Sequence, residues 1–197
     1  MIIVLKTFDS LGQESKWTAP PRAPLDIPLN VAGNFMELRS DHFHSGVDLK
    51  TNGVEGLPVR AVAAGRVSRV KMSPWGYGIA VYIDHPGGLT SVYGHLQALA
   101  PALTSQVLEA QYKAQDYSVD LTPPDVNLQF AAGEVIGRSG NTGGSSGPHL
   151  HYEVRRTADQ HAVDPESFGL ELADSRAPII RGLRLYALNS TARHSPY

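Results

Sequence analysis

Histidine and aspartate side chains recur at strand spacing in two segments that lie far apart in the sequence. His44 and Asp48 are separated by three residues, and His149 and His151 by one. Because side chains of an extended strand alternate between its faces, we expect the members of each pair to point to the same side. Neutral imidazoles and a carboxylate are ligands that zinc takes in proteins. The two segments together therefore predict one shared zinc site.

Three of these residues, His44, Asp48 and His151, are the predicted ligands of a single zinc ion. Three protein ligands leave a fourth position for water, which is typical of a catalytic rather than a structural site. Gly46 removes a side chain from the same face, and we expect the metal to approach the backbone there. A lone histidine is more commonly an ordinary surface or core residue. Here, however, two separate motifs each place their residues on one face of a strand, which argues against a chance arrangement.

His149 shares a face with His151 and need not bind the metal. Together with His95, at the end of a predicted strand, it is predicted to hydrogen-bond the zinc-bound water or the oxyanion formed during hydrolysis. Taken alone, His95 would be interpreted as a residue that caps a strand end. Glu153 has two open interpretations: it orients a ligand imidazole, or it forms an ion pair with Arg155 or Arg39.

The remaining histidines are assigned no part in the site. We expect His42 to be exposed and His85 to be structural, in a hairpin turn, while His161 and His194 have no evident partners. The loop at 141–147 is not a phosphate-binding loop, because no lysine follows it and no helix begins after it. We expect this loop to form a flexible wall beside a peptide groove.

Composition excludes several other functions. The 197 residues carry a formal net charge of -2, with 42% hydrophobic and 18% charged residues, so no basic surface for nucleic acid is expected. The absence of cysteine excludes a thiolate zinc site and a cysteine nucleophile. No apolar run approaches the ~20 residues of a transmembrane helix. The first residues also lack the basic start and apolar core of a signal peptide.

Proline and glycine divide the chain into three predicted parts. Residues 1–32 are rich in proline, which favours an extended N-terminal arm over a helix. Residues 33–165 form the predicted main domain. Residues 166–197 form a C-terminal extension, in which a strand at 178–188 is predicted as an edge strand or the start of a further β element.

The main domain is predicted to be mainly β, as an antiparallel two-layer β-sandwich or barrel-sandwich hybrid. Short β-branched runs separated by glycine support this fold class. Runs at 79–84 and 89–93 flank a Pro-Gly turn and predict a hairpin. Runs at 58–63 and 66–70 flank a tight connection, and 134–138 is predicted as a further strand.

One stretch departs from the β pattern. Apolar residues at helical spacing predict a single helix at 98–115. This helix lies within an insertion at 97–132, in which two consecutive prolines end the helical pattern.

The chain resembles a known family, the lysostaphin/LytM-type zinc endopeptidases, which cut peptide cross-links in bacterial cell walls. The resemblance runs in the same order from about residue 33 to 165 and includes the His-x-x-x-Asp and His-x-His elements. The matching stretches are 39–48, 59–67, 77–78, 92–96, 133–137, 140–143 and 147–155.

The resemblance implies an antiparallel sheet sandwich with one zinc ion, bound by His44, Asp48 and His151, and with His95 and His149 as catalytic histidines. It also implies peptidoglycan stem or cross-link peptides as substrate, and hence a location outside the cytoplasm. The insertion at 97–132 is longer than in minimal members, so substrate preference is not carried over. Where the family has glycine before its Glu-Leu-Arg element, this chain has Met36.

A non-enzymatic function is the alternative. One form is a metal-free wall-binding or amidase-activating regulatory domain of the same fold; the presence of all five implied residues argues against it. Another is a biotinyl- or lipoyl-type carrier, which needs a lysine displayed at a hairpin tip. Lys50, Lys71 and Lys113 are not placed in that way.

Overall fold

The structure is a computed structural model that describes residues 15–173. Within these residues the chain forms one helix and short antiparallel strands, as the sequence predicted. The strands are β1 (Val31–Gly33), β2 (Val47–Lys50), β3 (Pro58–Arg60), β4 (Gly65–Met72), β5 (Ile79–His85), β6 (Leu89–Gly94), β7 (Leu96–Leu99), β8 (Val119–Leu121), β9 (Gln129–Phe130), β10 (Val135–Ser139), β11 (His149–Arg156) and β12 (Ala162–Val163).

The strands of the described residues form a large sheet and a small one. The large sheet has the order β1-β2-β11-β6-β5-β4-β8, with β12 added to β11 and β9 added to β4. The small sheet has the order β3-β10-β7. Buried apolar residues from both sheets form one core, including Val67 and Leu150 of the large sheet and Val59 and Ile136 of the small sheet. The mainly β, two-sheet prediction is confirmed, without a closed barrel in this part of the chain.

The predicted hairpin at 79–84 and 89–93 is confirmed as β5 and β6. The pairing runs from Val81 opposite Tyr93 to His85 opposite Leu89. Side chains of β5 alternate between two apolar clusters, with Val81 and Ile83 in the main core and Tyr82 in a smaller cluster. Because β5 and β6 are buried on both faces, their residues are almost continuously buried rather than alternating with exposed ones.

The runs on either side of Ala64 and Gly65 do not pair with each other. β3 ends at Arg60 in the small sheet, and β4 begins at Gly65 in the large sheet. The connection therefore carries the chain from one sheet to the other. A side chain at Gly65 would collide with the neighbouring β5 strand, where Asp84 and His85 lie against it, which explains the glycine.

The predicted helix exists, but it is shorter than 98–115. It is α1 (Pro101–Ala114), because 98 and 99 belong to β7. Pro101 is the first residue of the helix, a position at which no intrahelical hydrogen bond requires a backbone N–H. Leu103 and Val107 are buried, whereas Leu108 and Tyr112 are exposed. The insertion also contains β8 and β9, two short strands that were not predicted, which pair with β4.

The described parts of the N-terminal arm and of the C-terminal extension both pack on the main domain. Leu25 and Leu29 of the arm belong to the core. The Trp17 indole N–H donates to the Phe168 carbonyl at 2.6 Å, and the Ala173 N–H donates to the Leu29 carbonyl at 2.8 Å. The domain limits at 33 and 165 stay a prediction, and the strand proposed at 178–188 lies outside the described residues.

Across residues 15–173, no helix combines the length and the apolar character that crossing a bilayer requires.

A buried polar network joins the crossing segment to the large sheet. The Tyr93 hydroxyl accepts a hydrogen bond from the Val62 N–H at 2.9 Å and lies 3.0 Å from the Ser91 hydroxyl. Ser91 Oγ lies 2.7 Å from His85 Nε2, and the other ring nitrogen, Nδ1, donates to the Ala64 carbonyl. Tyr93 is fully buried, so no water can replace a lost partner.

We expect Tyr93→Phe to destabilise the protein, because it leaves the buried Val62 N–H without an acceptor. The free energy of unfolding should fall by about 1–3 kcal/mol, measured by urea denaturation in saturating metal. Tyr112→Phe, on the exposed face of α1, is the matched control and should change it by no more than about 0.5 kcal/mol. Equal stabilities of the two variants would contradict this account of the network.

Candidate metal centre

Pairing between β2 and β11 places two predicted ligands side by side. Asp48 lies directly opposite His151 in this antiparallel pair. His44 reaches them from the loop before β2, because the strand begins only at Val47 and the chain bends at Gly46. The expectation that His44 and Asp48 share one extended strand was therefore wrong, although their side chains still converge.

Three potential ligand atoms form a compact triangle. His44 Nε2 lies 3.1 Å from Asp48 Oδ1, His151 Nδ1 lies 3.0 Å from the same oxygen, and the two nitrogens are 3.1 Å apart. All three residues are buried, and their ligand atoms lie within 4.8 Å of one another. Two imidazole nitrogens and one carboxylate oxygen are a donor set that fits a zinc-like metal ion.

The side chains of His44 and Asp48 are each held by a hydrogen bond at the atom that points away from the triangle. His44 Nδ1 donates to the carbonyl of Asn34 at 2.8 Å, which turns Nε2 toward the triangle. Arg39 donates to Asp48 Oδ2 at 2.8 Å, which leaves Oδ1 toward the same point. Gly33 lies against this ion pair, where a side chain would collide with both partners.

The electrostatics of the cluster favour an ionised carboxylate. Burial alone would raise the pKa of Asp48, but contacts with the imidazoles of His149, His151 and His44 hold it well below its usual range. An ionised carboxylate is therefore present where a cation would be bound.

The two predicted catalytic histidines lie beside the triangle. His95 Nδ1 donates to the Thr142 carbonyl at 2.7 Å, and His149 Nδ1 donates to the Gly147 carbonyl at 2.8 Å. Each ring therefore leaves Nε2 as the nitrogen available for acid–base chemistry. The ring centroids are 4.7 Å apart, and His149 Nε2 lies 3.4 Å from Asp48 Oδ1.

The pKa values of these two histidines are shifted in opposite directions. Burial lowers the pKa of His95 to about 4, so its ring is neutral near pH 7. Burial also lowers the pKa of His149, but the hydrogen bond with Asp48 outweighs this and raises it. The backbone of His95 has a φ of 57°, a value that is rare for residues other than glycine. Its N–H donates to the Tyr77 carbonyl at 2.8 Å, which helps to hold this backbone conformation.

The loop predicted as a groove wall occupies that position. A cavity of about 490 Å³ is lined by all five predicted site residues, by 144–147 of this loop and by Pro148. Thr142 anchors the loop, since its hydroxyl donates to the Leu96 carbonyl and accepts from the Ile79 N–H. Whether the loop is flexible stays a prediction.

The other histidines lie where the sequence suggested, with one qualification. His42 is exposed and contacts Asp41, but it also lines the edge of the cavity. His85 is part of the buried network around Tyr93. His161 is exposed beside Asp159, and His194 lies outside the described residues.

A comparison with protein families matches residues 42–115 and 122–165 to peptidase family M23. The chain belongs to peptidase family M23. The matched residues include all five of the predicted site, so the family assignment and the observed cluster concern the same part of the chain.

Relatives within the M23 family differ in activity. DD-carboxypeptidase/endopeptidase Mpg of Neisseria meningitidis is 35% identical over 133 residues, which are 68% of this chain and 24% of that protein. Murein hydrolase activator EnvC of Escherichia coli is 32% identical over 57% of this chain and 20% of its own length. The chain therefore matches about a quarter or less of either relative.

A solved structure supports the fold. The catalytic domain of the antimicrobial peptidase lysostaphin from Staphylococcus simulans aligns with a TM-score of 0.50 and 25% identity. The alignment covers 71% of this chain and 88% of that domain.

Sequence reasoning missed most of the groups that hold the site in place. Arg39 was considered as a partner of Glu153, but it pairs with Asp48. The backbone carbonyls of Asn34, Thr142 and Gly147 were missed because a carbonyl carries no residue-type signal.

Met36 is the one residue near these carbonyls that the sequence singled out, because the resemblance implies a glycine there. Its φ is 60°, a left-handed conformation that glycine adopts without steric cost. Its N–H donates to the His44 carbonyl at 2.8 Å, so this turn helps to place a candidate ligand.

We expect His151→Ala to abolish stoichiometric metal binding, because it removes one of three ligands. The loss of Zn²⁺ affinity should exceed the roughly 10- to 100-fold effect of removing an outer hydrogen-bond partner, measured by competition with a chelator. His42→Ala, at the cavity edge, is the matched control and should bind Zn²⁺ like the unaltered protein. Full metal content in His151→Ala would remove this residue from the ligand set.

Proposed function

We propose that this chain is a zinc-dependent endopeptidase that hydrolyses peptide cross-links of bacterial peptidoglycan. The convergence of His44, Asp48 and His151 beside His95 and His149 is the observation that carries this proposal. Membership of family M23 and the names of the Neisseria and Staphylococcus relatives support it.

Zinc is the metal that this donor set favours. Two imidazole nitrogens and one carboxylate oxygen suit Zn²⁺, and a buried, three-ligand site leaves a position open. When bound, zinc supplies a Lewis acid that polarises the scissile carbonyl and lowers the pKa of a water molecule. Arg39 and the Asn34 carbonyl orient two of the ligands from outside.

His149 and His95 are the proposed catalytic residues. A neutral imidazole whose Nδ1–H is held by a carbonyl presents an unprotonated Nε2, which can accept a proton from the attacking water. Once protonated, the same Nε2–H can donate a hydrogen bond to the oxyanion or a proton to the leaving amine. The pKa of His149 is raised by Asp48, which suits the donor role, and His95, which burial keeps neutral, suits the acceptor role.

A regulatory function is the second candidate, since one relative is a murein hydrolase activator. A metal-free domain that binds the wall or activates an amidase would share the fold. Such a domain does not require a buried triangle of ligand atoms flanked by two imidazoles in fixed orientations. The cluster therefore favours the enzyme.

Partners and location follow from the proposed substrate. A cavity of about 490 Å³ lies beside the cluster, and we propose that stem or cross-link peptides of peptidoglycan occupy it. Peptidoglycan lies outside the cytoplasm, and the chain is proposed to act there, in the periplasm, in the cell envelope or after secretion.

We expect His149→Ala and His95→Ala to keep most of the bound Zn²⁺ and to lose hydrolysis. Removing a general acid–base group should lower kcat about 10²- to 10⁴-fold, measured with a dye-labelled peptidoglycan or a purified cross-linked muropeptide. Zn²⁺ content by elemental analysis separates this result from metal loss. Hydrolysis at the unaltered rate in His149→Ala would contradict the division of roles.

We expect digestion of defined cross-linked muropeptides, followed by mass spectrometry, to show cleavage of one peptide bond. Chelation of the metal should stop the reaction and added Zn²⁺ should restore it. Products in which only sugar–sugar or sugar–peptide bonds are cut would exclude an endopeptidase. Stimulation of a separate amidase, with no cleavage by the chain itself, would favour the regulatory function.

A further inference from the structure

A fully buried carboxylate lies directly beneath the metal triangle. Glu153 follows His151 by two residues on β11, so both side chains are on the same face of the strand. Glu153 is 0% exposed, which makes it one of the most completely buried charged groups in the described residues. A buried carboxylate requires donors for both of its oxygens.

Glu153 has four such donors. Oε1 accepts from the Ser45 hydroxyl at 2.6 Å, the Tyr77 hydroxyl at 2.5 Å and His151 Nε2 at 2.7 Å. Oε2 accepts from Arg155 Nε at 2.5 Å. The ion pair with Arg155 that the sequence left open is present, and Glu153 also contacts the imidazole of His151, as the other interpretation requires.

This arrangement decides which nitrogen of His151 carries the proton. Arg155 forms an ion pair with Oε2, and the Ser45 and Tyr77 hydroxyls both donate to Oε1, so this buried carboxylate acts as an acceptor toward its neighbours. His151 Nε2 must therefore donate. Nδ1, the atom that faces Asp48, is then left unprotonated and available to a metal.

Two packing features support the same orientation. The Tyr77 ring is stacked on the His151 imidazole, with centroids 4.7 Å apart and an interplanar angle of 24°. Gly46 has no side chain because Glu153 and Tyr152 occupy that space, with Glu153 Cγ 2.7 Å from where a Cβ would lie. The expectation that Gly46 makes room for the metal was wrong: it makes room for the strand that carries Glu153.

We propose that Glu153 is the positioning residue of the metal centre. It holds His151 in the tautomer that presents Nδ1 to the metal, while Arg155, Tyr77 and Ser45 keep its carboxylate in place. The inference rests on the proposed function only in requiring a metal ion at this site. The chemistry of the substrate plays no part in it.

The test is the Zn²⁺ affinity of Glu153→Gln, measured without substrate by competition with a chelator. We expect a loss of about 10- to 100-fold, because an amide is a weaker acceptor for the imidazole N–H. Glu109→Gln, which changes an exposed glutamate on α1, is the matched control and should leave affinity unchanged. Unchanged affinity in folded Glu153→Gln overturns the proposal.

A spectroscopic readout separates positioning from general destabilisation. Nitrogen NMR of the metal-free protein should show His151 as the Nε2–H tautomer, with its signals assigned by their absence in His151→Ala. In Glu153→Gln the ring should become a mixture of tautomers. An Nδ1–H ring in the unaltered protein, or the same pure tautomer in Glu153→Gln, would contradict the inference.

Tyr77→Phe provides a second variant if Glu153→Gln does not fold. It keeps every charge and the stacked ring but removes one donor to Glu153, so we expect a smaller loss of Zn²⁺ affinity, of a few-fold. No loss would mean that the carboxylate is not held by this network, against the proposal. If the unaltered protein bound no Zn²⁺ at all, the proposed function itself would fail, which is a different outcome.

Discussion

The register between β2 and β11 is the constraint on which the rest of the site depends. It sets Asp48 opposite His151, so that a carboxylate oxygen and an imidazole nitrogen meet at 3.0 Å. Because side chains alternate along a strand, a slip of one residue would turn one of them to the opposite face and separate the pair. Glu153 lies beside this imidazole because it follows His151 by two residues on the same strand. A pairing of backbone strands thus determines the geometry of a chemical site.

Around this pair, each candidate site residue is held by an atom other than the one that takes part in the proposed chemistry. His44, His95 and His149 each donate Nδ1–H to a backbone carbonyl, and Asp48 accepts from Arg39 with its outer oxygen. His151 is held by a charged acceptor instead. The four imidazoles are therefore each restricted to one orientation before any metal or substrate binds. Such restriction reduces the reorganisation that binding and proton transfer require.

Sequence patterns located most of the fold, and their failures have physical reasons. The β5–β6 hairpin was predictable because its turn and its two apolar runs are adjacent in sequence. Helix α1 was predicted three residues too long at its start, since apolar spacing cannot distinguish the last residues of β7 from a first helical turn before Pro101. Strands β8 and β9 were missed because each is two or three residues long and exists only by pairing with β4. Local sequence holds little information about such pairings.

The sequence by itself determined which residues could form the centre: two imidazoles, one carboxylate and two further histidines, in motifs too specific for chance. It also determined the mainly β character, because short β-branched runs and glycine turns are local properties. The tertiary structure alone decided that His44 comes from a bent loop, that Arg39 pairs with Asp48, and that Glu153 contacts both His151 and Arg155. These are contacts between segments distant in the chain, and residue spacing cannot encode the distance or direction across a sheet.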